Sequence, residues 1–572
     1  MCNDMFEKKV SSLLSSKTEN PKNSFVEAAM KATHETLSGN DALKYSTSGD
    51  DFVDNFSAIS TFKEPRSYKE VAEDMQRLWS QDALKCLKLA VYIRMITRKP
   101  QVLEHFEIVQ VLETQKGQGL RNEGIMRMLW LAINHPATFY QNFPYFIAAG
   151  SWKDVITMLN LDLQYHGWKG RQLDWKFFKS VLYAGLTNPN TTHLVRKYLP
   201  TIRTNSKCRT LEAQADTIIG RWLANSLWSK ANKIQAFKNY RKLKSEGIAH
   251  EWQQLISKQL YNEIKFDKIA GRALQQIVNS KFLQNHNLRE KYLEWIQSRT
   301  TAKFTGFVFE LFKPLDTLSY NWRDRIYTYS SLDAASQATI NAQFNQLVQT
   351  SKEDLQSKFL VARDISGSMT DEAIGCGMSS YSVSKAMALY FSEFLTGPFA
   401  NSFIEFADTC RMVQWKGNTP YEKWVNDVNA DFGYTDFLSV ARLFARLKKQ
   451  GVPETDFPEG ILCISDGEFN NCGTRTTNFQ EFRRILQAAG FSEKYVKDLK
   501  LVLWDIPNRY YGKSKPTFED FADAPNVFHI SGYDPAVISF LMGKGYNPCN
   551  SKELMDAALN QELLNKLRVV QD

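Results

Sequence analysis

Apolar residues recur at helical spacing over most of the first 350 positions. Leu84, Leu87, Val91 and Met95, with Leu89, Ile93 and Ile96 beside them, follow a 3.6-residue period until Pro100 interrupts it. The same period returns over 125–133, 177–186, 211–228, 252–264, 269–278 and 334–348, with short polar links such as Thr187-Asn188-Pro189-Asn190. Helices joined by short links predict an all-α bundle or solenoid, here without a motif repeating at fixed spacing.

After Leu355 the texture changes. Short runs rich in β-branched and aromatic residues occupy 359–362, 402–406, 460–464, 499–504 and 526–530, and helical patterns at 382–394, 437–447, 479–488 and 536–542 separate them. Strands alternating with helices predict a parallel, doubly wound α/β sheet. The expected division is therefore a helical domain over 1–355 and an α/β domain over 356–572. Sheets of this kind hold ligands in loops at the carboxyl ends of their strands.

Composition narrows the function classes. With 43% hydrophobic and 23% charged residues in 572, the chain has globular usage, which argues against disorder and fibrous repeats. The start is polar and no run of about 18 apolar residues occurs, so neither secretion nor membrane spanning is expected. The eight cysteines include no C-x-x-C pair, and no two of the eight histidines lie within five positions. A disulfide framework and a zinc site are both disfavoured, and a reducing, cytoplasmic compartment is expected.

Charge is uneven. Residues 161–350 carry 28 basic against 14 acidic side chains, whereas residues 361–572 carry 22 against 27. A positive field over the middle segment favours polyanionic partners with a salt-dependent affinity. Lys230, Lys233, Lys238, Arg241, Lys242 and Lys244 fall within 15 residues, with Trp228 and Tyr240 interleaved, and Lys265, Lys268 and Arg272 form a second cluster. Cations that follow phosphates and rings that stack bases are the elements of single-strand recognition.

Three loops of the α/β part carry candidate chemistry. Asp364-Ile365-Ser366-Gly367-Ser368 follows the first predicted strand, Gly433-Tyr434-Thr435-Asp436 introduces a helix, and Ser465-Asp466-Gly467 ends another strand. Asp364, Ser366, Ser368, Thr435 and Asp466 are all hard oxygen donors, a set that suits Mg2+, Mn2+ or Ca2+. Other motifs fail on context. Ser382-Val383-Ser384-Lys385 fits S-x-x-K without its companion motifs, Gly543-Lys544-Gly545 lacks a phosphate loop, and there is no G-x-S-x-G. No catalytic set emerges, and a non-enzymatic protein is expected.

In its three loops the sequence resembles the von Willebrand factor A domain with its metal-ion-dependent adhesion site. That resemblance implies that Ser366, Ser368 and Thr435 supply hydroxyl ligands, that Asp364 and Asp466 bind directly or through water, and that one position stays open for a partner's acidic group. A second resemblance rests on Thr36-Leu37-Ser38-Gly39-Asn40-Asp41-Ala42, Ser46-Thr47-Ser48-Gly49-Asp50, Phe52-Val53-Asp54-Asn55-Phe56, Lys116-Gly117-Gln118-Gly119-Leu120-Arg121-Asn122-Glu123, Gly150-Ser151-Trp152-Lys153-Asp154 and Phe304-Thr305-Gly306. These resemble the landmarks of the TROVE module of the Ro autoantigen family and its relatives. The resemblance implies a ring or arc of HEAT-like helical repeats joined to the A domain, binding small structured RNA or single-stranded RNA ends. The expected function is thus RNA binding, with a metal-bearing domain that closes the ring or takes an acidic partner. The alternative is a metal-dependent protein-interaction or assembly module whose helices are scaffold.

Overall fold

The computed structural model describes residues 34–38, 40–58, 66–96, 116–204, 207–246, 251–316, 319–321, 326–329, 331–351, 358–373, 377–428, 433–473, 475–506, 517–532, 535–542 and 547–571. Pro100, Gly39, the boundary between 355 and 356, and the Gly543-Lys544-Gly545 run lie outside them. A mostly helical region is followed by an α/β region, but the chain's two compact units are interleaved rather than cut where the texture changes. One comprises 1–24, 66–254 and 559–572, and the other 25–65 and 255–558.

The described residues of the first unit form helices and the links between them, and no strand. Tyr68–Gln81, Ala83–Arg94, Arg121–Asn134, Pro136–Ala149, Trp152–Gly170, Trp175–Thr187, Leu211–Leu227 and Lys233–Glu246 are its longer helices. Ser67 and Glu70 form a reciprocal capping box that starts the first of these, and Asp82 caps the second. The C-terminal residues return to this unit, where Asn142 Nδ2 donates to the Arg568 carbonyl at 2.6 Å and Leu563, Leu564 and Leu567 are buried.

Two of the quoted landmarks meet here around a buried ion pair. Arg94 is fully buried against the Asp154 carboxylate, and Arg121 approaches the other oxygen of Asp154 at 3.6 Å. A Cβ on Gly150 would sit 2.1 Å from Asp154 Oδ2, so only glycine leaves room for the pair. The motif therefore encodes charge burial and close packing.

In the second unit, strands β1 (Glu35–Leu37) and β2 (Leu43–Tyr45) form an antiparallel hairpin, as do β3 (Ser319–Asn321) and β4 (Ile326–Thr328). The main sheet contains β5 (Phe359–Asp364), β6 (Ser402–Phe406), β7 (Cys410–Gln414), β8 (Gly460–Ser465), β9 (Lys500–Asp505) and β10 (Val527–Ser531) in the order β10-β9-β8-β5-β6-β7. All pairs are parallel except β6 with β7. The chain runs from β5 to one edge and then restarts at β8 on the other side of β5. The carboxyl ends of β5 and β8 therefore flank the topological switch point.

Helices cover both faces, as a largely parallel sheet requires. Arg363 lies under the Tyr381 ring of helix Ser380–Ser392, while Leu360 and Ala362, on the opposite face of the same strand, join Val440 and Phe444 of helix Leu438–Lys449 in the core. The β1–β2 hairpin and helix Asp51–Ala58 pack on this α/β region, not on a helical one. Tyr45 pairs with Phe518, Lys44 meets Glu519 at 3.1 Å, and the Ser531 hydroxyl donates to the Ser57 carbonyl.

Arg94→Met leaves the Asp154 charge buried without its principal partner, and we expect a loss of about 3–5 kcal/mol in urea unfolding. In a double-mutant cycle, Asp154→Asn added to Arg94→Met costs much less than the sum of the singles. Additive losses would show that the two side chains are not coupled.

Candidate metal centre

Two of the three donor loops are followed by an aromatic side chain planted in one cluster. Phe437, two residues after Thr435, is fully buried, with Phe406, Phe469, Phe479 and Phe482 at ring distances of 5.2–5.7 Å. Phe469 follows Asp466 by three residues. Phe406 ends β6, and its carbonyl accepts the Ile365 amide at 3.0 Å. Each of these rings contributes roughly 1.5–3 kcal/mol by burial, and two of them, Phe437 and Phe469, sit just after Thr435 and Asp466.

Four of the five expected donors, Asp364, Ser366, Ser368 and Asp466, meet at the carboxyl ends of β5 and β8, and the loop of the fifth, Thr435, is bonded to them through its backbone. Asp364 closes β5 and Asp466 follows β8, the neighbouring strand. The Ser366 amide donates to Asp364 Oδ1 at 2.8 Å, and the Ser465 hydroxyl donates to Asp364 Oδ2 at 2.5 Å. The Ser366 and Ser368 hydroxyls stand 3.2 Å apart. Ser368 also bonds to the Asp466 side chain, whose Oδ1 accepts the Glu468 amide at 3.1 Å. The third loop is drawn in by a bond from the Gly367 amide to the Gly433 carbonyl at 3.4 Å. Asn470 then clamps Thr435, accepting its amide at 3.3 Å and returning its own amide to the Thr435 carbonyl at 3.0 Å.

Both carboxyls of the cluster are shifted upward. Burial raises the Asp364 carboxyl to about 6, against the hydrogen bonds from Ser366 and Ser465 that favour the charged form. Burial, and next the charge of Asp364, raise Asp466 to about 7, and the two titrate as a pair. What opposes these shifts comes from hydroxyl and amide donors. Among the described residues no three His, Cys, Asp or Glu side chains gather to hold a metal. The cluster at β5 and β8 is of another kind, two carboxylates with hydroxyls, and its donors fit a hard dication.

Ser465 and Asn470 were not among the sequence candidates. Ser465 directly precedes Asp466, and strand pairing puts it beside Asp364; Asn470 carries no motif signal. The β1–β2 hairpin buttresses the same loop from outside. Asn40 Nδ2 donates to the Glu468 carbonyl at 2.6 Å, and Ser38 Oγ donates to the Phe469 carbonyl at 3.1 Å. Tyr434 stands 74% exposed on the Thr435 loop.

Behind the site, on the other face of β5, lies a buried ionic network. Arg363 donates to Asp427 Oδ2 at 2.8 Å and also pairs with Glu405, which Arg411 meets at 2.8 Å. Lys385, from the S-x-x-K sequence, points into this network. Its Nζ donates to the Tyr329 hydroxyl at 2.6 Å and lies 3.4 Å from Asp427 Oδ2, and burial lowers it to about 7.

The basic candidates fall into separate units. Lys230, Lys233, Lys238, Arg241 and Lys242 are exposed on or just before helix Lys233–Glu246. Lys244 is half-buried, its Nζ donating to the Leu199 carbonyl, and burial lowers its pKa. Tyr240 is buried with its hydroxyl on the Pro200 carbonyl at 2.8 Å, so the expectation that its ring stacks a base is corrected. Lys265 and Lys268 are exposed on and beside the short turn Phe266–Lys268, whereas Arg272 pairs with Glu310 at 2.7 Å.

Residues 359–569, the stretch carrying all five donors, match a family described as a domain of unknown function, DUF7788. No curated protein matches the sequence. Among solved structures, the chain is similar to the Ro (RSR) protein of Deinococcus radiodurans at 13% identity, covering 89% of this chain and 99% of that one with a TM-score of 0.43.

Both carboxyls keep their protons to higher pH in the fold than in the unfolded chain. The folded state therefore binds more protons from the ordinary value of 3.8 up to about 7, and their contribution to stability falls as pH rises through that window. Without metal, thermal unfolding of the wild type should weaken between about pH 5 and about pH 7.5 relative to Asp466→Asn. Mg2+ at about 100 times its Kd should restore about 2.7 kcal/mol at the upper pH and less at the lower, where protons compete. Parallel pH profiles for the two proteins, unmoved by Mg2+, would count against the site.

Proposed function

We propose that the α/β region is a metal-dependent binding module for an acidic partner. The observation that carries this reading is the pair of buried carboxylates at β5 and β8, with the hydroxyls of Ser366, Ser368 and Ser465 beside them. Ser366, Ser368 and Thr435 would hold a hard dication (Mg2+, Mn2+ or Ca2+) by their hydroxyls, and Asp364 and Asp466 would hold it directly or through water. Such an ion, when bound, offers a Lewis-acidic position to a carboxylate or phosphate oxygen. Ser465 keeps one Asp364 oxygen occupied, so that carboxylate is held in orientation, and Asn470 fixes the Thr435 loop against the Asp466 loop. No reaction is assigned to these residues, and the setting is taken as cytoplasmic.

Within the same proposal the α/β region is of von Willebrand factor A type and the helices form a TROVE-like, HEAT-like repeat. The sheet order, the strand-end position of the donors and the short-linked helices support this. RNA binding by the helices is the second reading, favoured by five exposed cations between Lys230 and Lys242.

An immobilised glutamate-rich peptide should retain the full chain in Mg2+ and release it in chelator, and Asp364→Ala should remove the retention. Retention that ignores both chelator and Asp364→Ala contradicts the metal reading. In gel shifts with a single-stranded RNA oligonucleotide, the triple change Lys233→Gln, Lys238→Gln and Lys242→Gln should weaken binding and flatten the salt slope by about 0.7 per lost contact. An unchanged slope removes those lysines from any RNA surface.

A further inference from the structure

A small pocket away from the metal loops has the character of a ligand site. It has a volume of about 190 Å3 and is walled by the turn Phe266–Lys268, helices Gly271–Val278 and Arg289–Gln297, and the segment 299–303. Phe266, Leu274 and Trp295 give it an apolar wall, and Asp267, Thr301 and Gln346 give it hydrogen-bonding groups. Arg299 and Lys303 supply positive charge to the lining.

The walls are held in place before any ligand arrives. A Cβ on Gly271 would meet the Lys303 carbonyl at 2.2 Å, so helix and segment touch along the backbone. Gln343 Nε2 donates to the carbonyls of Gly271 and Lys303 at 3.1 and 3.4 Å, and the Ala302 amide donates to the Ala342 carbonyl at 2.9 Å. Phe266 is buried edge-on to Tyr292 at 5.0 Å, and the hydroxyls of Tyr292 and Thr339 are bonded at 2.7 Å. A pre-formed pocket loses little free energy to ordering on binding.

Size and charge select the ligand. A cavity of about 150 Å3 takes one benzene ring, and pockets for larger organic ligands begin near 300 Å3, so this one admits a single ring. Among the described residues neither Arg299 nor Lys303 is in an ion pair, although Arg272 nearby is tied to Glu310. The Arg299 guanidinium rests 4.8 Å from the Trp295 ring centroid. Exposed Lys265 and Lys268 add to the positive field. The polar wall suits a heterocycle edge more than a hydrocarbon, since Asp267 can accept a ring N–H and Thr301 can donate to a ring carbonyl.

We infer that this pocket binds a pyrimidine nucleotide, with the ring inside against Trp295 and the phosphate outside at Arg299 and Lys303. Isothermal titration of the full chain with uridine 5′-monophosphate tests it, in chelator so that the metal centre cannot hold the phosphate. Saturable binding with a Kd below about 1 mM is expected. Arg299→Gln with Lys303→Gln, both at exposed positions and checked for folding by circular dichroism, should weaken it at least about tenfold. Adenosine 5′-monophosphate and benzoate should each bind at least about tenfold more weakly, the first for its second ring and the second for its bare edge. The inference is overturned by absence of saturable heat, by unchanged affinity in the double variant, or by equal affinity for either control.

Discussion

Two carboxylates that end on adjacent parallel strands cannot move apart without breaking the sheet. Asp364 and Asp466 are in that position, held by the pairing of β5 with β8 and buried at its end. Like charges in such a place raise each other's proton affinity unless a cation intervenes. The backbone thus dictates an electrostatic problem, and the hydroxyls of Ser366 and Ser368 beside it are the kind of donor that shares a hard cation.

Three other buried carboxylates are met by the chain's own cations. Arg94 faces Asp154, Lys44 faces Glu519, and Arg363 with Lys385 faces Asp427. The consequence is visible at Asp427, where burial pushes the carboxyl up but Arg363 and Lys385 outweigh it and hold it below its ordinary value. Asp364 and Asp466 shift the opposite way, within the same unit and at comparable burial. The signs differ because Arg363 and Lys385 lower Asp427, whereas only hydroxyl and amide donors oppose the upward shifts of Asp364 and Asp466. The aromatic cluster around Phe437 gives the site its rigidity, because the same rings that form the core anchor the loops that carry the donors.

Much of this was legible in the sequence, for identifiable reasons. Ser402–Phe406 and Gly460–Ser465 are fully buried strands, so their apolar runs stand out, and the donors follow from being polar residues at the ends of such runs. Cys410–Gln414 was not legible because it is an edge strand with mostly exposed residues. The β1–β2 hairpin has strands of three residues each, too short to show alternation, and reads instead as a helical opening. The helix expected over 252–264 stops at Ser257, with Gln259 at φ 60 turning the chain into a short 3-10 segment. Tyr240 and Lys244 face inward because their helix packs against Leu199 and Pro200, a contact between distant segments that local spacing does not encode. Ser465 and Asn470 act by hydrogen bonds across loops, and such partners become apparent only once the strands are paired.

Anomalous scattering from crystals of the full chain grown with Mn2+ tests the central claim most directly. One strong peak should stand among the hydroxyls of Ser366, Ser368 and Thr435 at about 2.0–2.4 Å, with Asp364 and Asp466 bonded to it or one water away. Mn2+ found only at other surfaces, with no peak beside Asp364 and Asp466, would contradict it.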